Sequence, residues 1–108
     1  MKRGDVVLAA ASGDYGKPRP FVIVQANDTI DLSDSVVLCP ITSHLTEAKL
    51  RIRLEPGAGT GLRVESEVMA EKLIALPKSK IRSVIGGLTQ AELRAVNATL
   101  MMVLDLPS

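Results

Sequence analysis

Short apolar runs alternate with polar breaks that carry Gly and Pro along most of this chain. The run from Asp5 to Ala11 predicts a strand, and the stretch Ser12, Gly13, Asp14, Tyr15, Gly16, Lys17 and Pro18 stops it as a loop. Phe21 to Val24 is a second β-branched run, bounded by Pro20 and by Asn27-Asp28. Val36 to Cys39 is a third, and it ends in Pro40, Ile41, Thr42 and Ser43. Between these two, residues 27–35 are polar and Asp-rich, the composition of a surface connection. Arg51, Ile52, Arg53 and Leu54 alternate charged and apolar, as a strand with one wet face does. Pro56, Gly57, Ala58, Gly59, Thr60 and Gly61 break that pattern. Val68 to Leu76 reads as one further strand closed by Pro77, and Ile81 to Ile85 as a short strand before Gly86-Gly87.

The C-terminal pattern changes period. Thr89 with Glu92 three residues on forms a capping box, and Leu88 and Leu93 stand where a hydrophobic staple puts them. Leu93, Val96, Leu100, Val103 and Leu104 then recur at helical spacing, which predicts one helix over roughly 90–104. Several short strands followed by one helix predict a mainly β single domain over residues 1–108. Its architecture would be a small antiparallel SH3-like barrel or coiled sheet with a C-terminal helix packed on it.

The core of such a domain has to be aliphatic, because aromatic residues are 2% of the chain: Tyr15 and Phe21, with no Trp. That scarcity argues against a row of bases stacked on aromatic platforms. Thirteen basic residues against twelve acidic ones leave a net charge of +1, so any nucleic-acid contact has to come from local clusters rather than bulk charge. An apolar content of 46% with 23% charged excludes a disordered chain. The lone Cys39 cannot close an internal disulfide, and with a single His44 no soft-ligand zinc site can be assembled within one chain. No apolar signal segment follows the first residues, and no run approaches the ~18 residues of a bilayer span. The expectation is a soluble cytoplasmic protein of a reducing compartment, with no metal, no cofactor and no membrane partner.

Walker A, dinucleotide-binding and Gly-x-Ser-x-Gly signatures are absent. The order of the remaining motifs is more telling. Arg3, Gly4, Asp5, Val6 and Val7 open the chain. Gly16, Lys17, Pro18, Arg19 and Pro20 lead into the aliphatic strand from Phe21. Cys39, Pro40, Ile41, Thr42 and Ser43 end the next one. Then come Gly61 to Lys72, Pro77 to Ile81, Ile85 to Leu88 and the final helix. Over essentially its whole length this order resembles the MazF/PemK toxin family. The resemblance implies a small coiled sheet of the MazF/CcdB toxin type, usually a homodimer. It also implies metal-independent, sequence-selective cleavage of single-stranded RNA, and neutralisation by a cognate antitoxin protein.

Metal-free RNA cleavage can use the neighbouring 2′-hydroxyl as nucleophile. The protein then has to help remove that proton, stabilise the phosphorane and help the 5′-oxygen leave. On the resemblance, Arg19, Thr42 and Glu71 are the catalytic candidates. Arg19 has the planar, always-charged fork that suits phosphate oxygens but is a poor general base. Its flanking Pro18 and Pro20 restrict the local backbone. Thr42 offers a hydroxyl to a phosphate oxygen or to the 2′-hydroxyl, or simply ends its strand and caps a turn. Glu71 can orient Arg19, accept a proton or read a base donor, or can pair with Lys72 on an edge strand. The chain has Met69 where one branch of the family has a catalytic Arg two positions before the acidic residue.

RNA-contact candidates are Tyr15, Lys17, Ser43, Lys49, Arg51, Arg53 and Lys72. Arg51 and Arg53 share one strand face, with Lys49 and Arg63 nearby, and either track an RNA backbone or form an ordinary wet face. Lys78, Lys80 and Arg82 carry the same two readings. Tyr15 either stacks on a base or packs in its loop, Ser43 either contacts RNA or shapes a turn, and His44 either assists proton transfer or is a surface residue near a turn. Two rivals stand beside the nuclease: a non-hydrolytic toxin of the same fold that grips DNA gyrase, and an inactive interaction module. The absence of Trp weighs against the first.

Overall fold

Adjacent side chains on a strand point to opposite faces, so an unbroken apolar run marks a strand buried on both sides. In the computed structural model, which describes residues 1–10 and 17–107, the first three strands behave this way. On β1 (Asp5–Ala9), Val6 and Val7 enter different clusters. β2 (Arg19–Ile23) sends Val22 one way and Phe21 and Ile23 the other. β3 (Ser35–Thr42) sends Cys39 and Ile41 one way and Val36 and Leu38 the other. The first cluster continues through Ile52 and Leu54 of β4 (Arg51–Leu54) and Val68 of β5 (Ser66–Met69). It is closed by Val96 and Leu100 of the C-terminal helix. Truncating a residue buried as fully as Leu54 to Ala costs about 2–5 kcal/mol, so each cluster is a substantial share of the stability.

The remaining strands are β6 (Ile74–Pro77) and β7 (Ile81–Gly87). All pairings are antiparallel, and the sheet runs β4-β5-β3-β2-β1-β7, with β6 also on β3. β3 is the hub. Its first half pairs with β6, from Ser35 opposite Pro77 to Leu38 opposite Ile74. Its last residues pair with β5, Ile41 opposite Val68 and Thr42 opposite Glu67. The single strand expected over 68–76 is therefore two, lying end to end along β3. A 3-10 turn, Ala70–Lys72, takes up the slack between them, anchored by the fully buried Ala70.

The polar connection between β2 and β3 also differs from a plain loop. It holds a one-turn helix, α1 (Asn27–Ile30), which seats Ile30 in the second cluster. The final helix, α2 (Gln90–Val103), starts as the sequence predicts. Thr89 Oγ1 accepts from the Glu92 N–H (3.1 Å), and Glu92 Oε1 accepts from the Thr89 N–H (2.8 Å). Arg3 ties this helix to the sheet by donating to Val24 O (2.8 Å) and to Asn97 Oδ1. The end of the apolar stripe is uncovered: Leu104 is exposed, as are Met101 and Met102 beside it. The result is the expected mainly β fold with a C-terminal helix.

Candidate active site

β2 begins with Arg19 and β3 ends with Thr42. Their register pairs Phe21 with Pro40, Val22 with Cys39 and Ile23 with Leu38. Carried two residues further, it sets Arg19 across from Thr42, and period two puts both on one face. The two side chains line one cleft of about 560 Å³, together with Ser43 and Arg63. Its apolar wall is built from Phe21, Ile41, Leu62, Val64, Met69 and Ile74. Arg19 is exposed and Thr42 half-buried, so both reach solvent. Thr42 Oγ1 accepts from the His44 N–H (3.1 Å), and its own hydrogen is still there to donate.

The wall opposite these strand ends comes from the Gly-rich segment that interrupts the sequence pattern. Thr60 Oγ1 donates to Glu55 O (2.9 Å) and accepts from the Leu62 N–H (3.3 Å). The Gly61 N–H donates to Gly57 O (2.8 Å), and the Gly87 N–H donates to Gly59 O (2.9 Å). Gly61 has φ +76°, and a Cβ there would stand 2.0 Å from Ile85 O. At Gly86 a Cβ would meet Thr60 O at 2.4 Å. The two backbones touch only because neither residue has a side chain. This platform delivers Leu62, Arg63 and Val64 to the cleft. As cleft residues, Leu62 and Val64 escape the sequence pattern, and so do Met69 and Ile74. The one available signal was the spacing of Gly57, Gly59 and Gly61 against Gly86-Gly87.

The other candidates go elsewhere. Among the described residues, the cleft lining does not include Lys17, Lys49, Arg51, Arg53, Glu71 or Lys72. Arg51 Nε donates to both oxygens of Glu71 (2.9 and 3.3 Å), and its Nη2 lies 2.9 Å from Glu71 Oε2. This two-nitrogen grip holds the Glu71 carboxyl below the usual carboxylate range. Arg51 Nη1 is also 3.8 Å from Glu67 Oε1. Arg53 pairs with Glu65 (2.8 Å), Glu47 (3.5 Å) and Glu67 (3.9 Å), which raises its own pKa, chiefly through the Glu65 hydrogen bond. The face that the sequence left open between an RNA track and an ordinary wet face carries an ion-pair network on β4 and β5. Lys49 and Lys72 are exposed on turns, and Lys17 is exposed two residues before Arg19. Tyr15 lies outside the described residues. Cys39 is sealed in the core, and burial first, then the Glu71 charge, push its thiol up to about 11. It is neutral and unavailable as a nucleophile at physiological pH.

A solved endoribonuclease in complex with its cognate antitoxin, from a mycobacterial species, superposes with a TM-score of 0.85 over 100% of this chain and 98% of that one, at 23% identity. A MazE–MazF structure from Deinococcus radiodurans gives 0.83 over 99% and 97%, at 18% identity. At those identities the likeness concerns the fold; the sequence is more specific. Residues 2–104 match the PemK-like, MazF-like toxin family of type II toxin-antitoxin systems, and the chain belongs to that family. A probable endoribonuclease MazF from Mycolicibacterium smegmatis is 39% identical over 98% of both chains. An endoribonuclease MazF from Staphylococcus saprophyticus is 28% identical over 98% of this chain and 92% of that one.

Proposed function

We propose that this protein is the endoribonuclease toxin of a toxin–antitoxin pair. It cleaves single-stranded RNA at short sequences, without a metal, by attack of the 2′-hydroxyl on the adjacent phosphate. The products are a 2′,3′-cyclic phosphate and a 5′-hydroxyl end. The observation that supports this most directly is the meeting of Arg19 and Thr42 in one open cleft. Arg19 donates to the non-bridging oxygens as the phosphorane gathers charge, and Thr42 donates to a phosphate oxygen or orients the 2′-hydroxyl. Ser43 and Arg63 hold the flanking backbone from the cleft, with Lys17 at its approach. The apolar wall takes a base. Glu71, engaged by Arg51, is not assigned the proton transfer.

The same cleft suits an acidic and apolar antitoxin tail that folds as it binds, because Arg19 and Arg63 lie beside an apolar trough. A homodimer is part of this proposal, as is action in the cytoplasm on cellular RNA. The test is incubation of purified protein with mixed single-stranded RNA in EDTA, followed by chemical identification of the new ends. Cyclic phosphate and 5′-hydroxyl termini are expected. Arg19→Ala should keep the circular dichroism spectrum and cleave at least ~100-fold more slowly, the scale of one lost transition-state donor. Intact RNA from folded wild type, or full-rate cleavage by the variant, overturns the reading.

A further inference from the structure

Glu67 is a carboxylate placed where an aliphatic residue would be ordinary. It lies in the middle of β5 with a relative exposure of 2%, between buried Ser66 and buried Val68. Its register partner on β3 is Thr42, and its partner on β4 is Arg53. Directly paired residues share a sheet face, so Glu67 and the cleft threonine lie side by side. The chain that leaves Thr42 folds back over it. Glu67 Oε1 accepts from the Thr46 N–H (3.1 Å) and the Thr46 hydroxyl (3.3 Å), and Oε2 accepts from the Glu47 N–H (2.9 Å). Glu47 takes a left-handed φ of +56°, uncommon for a residue with a side chain. The carboxylate bond to its N–H holds it there.

A buried charge is costly unless its surroundings satisfy it, and these donors do so, with Arg51 and Arg53 at 3.8 and 3.9 Å. The short segment from Ser43 to Glu47 is therefore clamped at both ends: by the strand at Thr42, and by the grip of Glu67 on Thr46 and Glu47.

We infer that Glu67 is a positioning residue for the cleft: by stapling the turn that follows Thr42, it fixes the Thr42 hydroxyl and Ser43 in register with Arg19. It touches no substrate. This rests on the nuclease reading above and adds to it a residue outside the cleft. Misplacing a reacting group by about 1 Å can cost ~100-fold in rate, so a loosened turn shows in turnover rather than in RNA affinity.

The test is Glu67→Gln, which keeps the size but replaces one acceptor oxygen by an NH2 facing a backbone donor. Single-turnover cleavage of a short RNA should slow by at least ~10-fold. Its KM should stay near the wild-type value, and so should its far-UV spectrum. Thr46→Val, at an exposed position, should slow the same step by less. On wild type, NMR should show the Thr46 and Glu47 amide shifts moving together as one carboxylate titrates below the usual range. The charged groups facing that carboxylate are Arg51 and Arg53 from β4 and Glu47 of the turn, with Glu71 of the 3-10 turn across Arg51.

A folded Glu67→Gln at wild-type rate overturns the inference, and so does a loss confined to KM. If that variant does not fold, a full-rate Thr46→Val or amide shifts indifferent to the carboxylate overturn it equally. Wild type that leaves RNA intact removes the nuclease reading and this inference together. An active wild type beside an unimpaired Glu67→Gln removes only the inference.

Discussion

Cys39 and Glu67 are both buried and ionisable, and their surroundings push them in opposite directions. Cys39 lies among aliphatic side chains, so burial disfavours its thiolate and its pKa rises to about 11. Glu67 lies under N–H groups; the Thr46 backbone bond leads in lowering its pKa, against the opposing effect of burial. The same burial thus yields an inert thiol and a firm carboxylate. Cys39 should therefore ignore iodoacetamide at pH 8 in the native protein and react promptly in strong denaturant. Mass spectrometry of the alkylated chain reads this, and rapid labelling of the native form would contradict it. Arg51 teaches a related lesson. Two arginines at period two fit either a phosphate track or a wet face in sequence; in the fold Arg51 has 12% of its side chain exposed and grips Glu71. Neither carboxylate partner of Arg51 is near it in the chain.

Among the elements, the loop that ends at Leu62 does most for the cleft while looking least structured in sequence. Its hydrogen bonds close on themselves and on β7, and Gly61 and Gly86 let the two backbones meet. Gly61→Ala puts a Cβ into Ile85 O and asks an alanine to hold φ +76°. The strained dihedral alone costs roughly 1–3 kcal/mol, and the backbone clash adds to it. The urea midpoint should fall accordingly with little change in slope, and RNA cleavage by the folded fraction should drop as Arg63 and Val64 shift. An unchanged midpoint would show that the loop does not pack on β7 as described. The exposed pairs of Arg53, by comparison, are worth little, because solvent screens them.

For the whole molecule, the network that joins β4, β5 and the turn after β3 makes stability depend on acid. Both Glu67 and Glu71 have depressed pKa values in the folded state, the second chiefly through Arg51. The unfolded chain then binds protons first as pH falls, at the ordinary carboxylate value of ~4.3. The stabilisation is fully present above that value. It is lost progressively as pH drops from there through the lower folded-state values. Urea midpoints measured from pH 7 down to 3 should be flat on this account near neutrality and fall below about pH 4.3. Glu67→Gln should flatten part of that fall. A midpoint that rises on acidification would contradict the assignment of charge in the network.

The sequence by itself determined what is local. The alternation of Arg51 to Leu54 is β4 residue for residue, and the Thr89–Glu92 box opens α2. The apolar runs are the strands buried on both faces, and Arg19 and Thr42 stand at strand ends. A cap, a period and a turn are written within a few residues, so they can be read there. The tertiary structure alone decided the rest. It divided residues 68–76 into two strands along β3 and put a helical turn at Asn27–Ile30. It turned a Gly-rich break into a cleft wall, and it matched Glu67 with Thr46, Glu47, Arg51 and Arg53. Those contacts join segments far apart in the chain. Their partners follow from strand register and the closeness of two backbones, which no periodicity along one segment records.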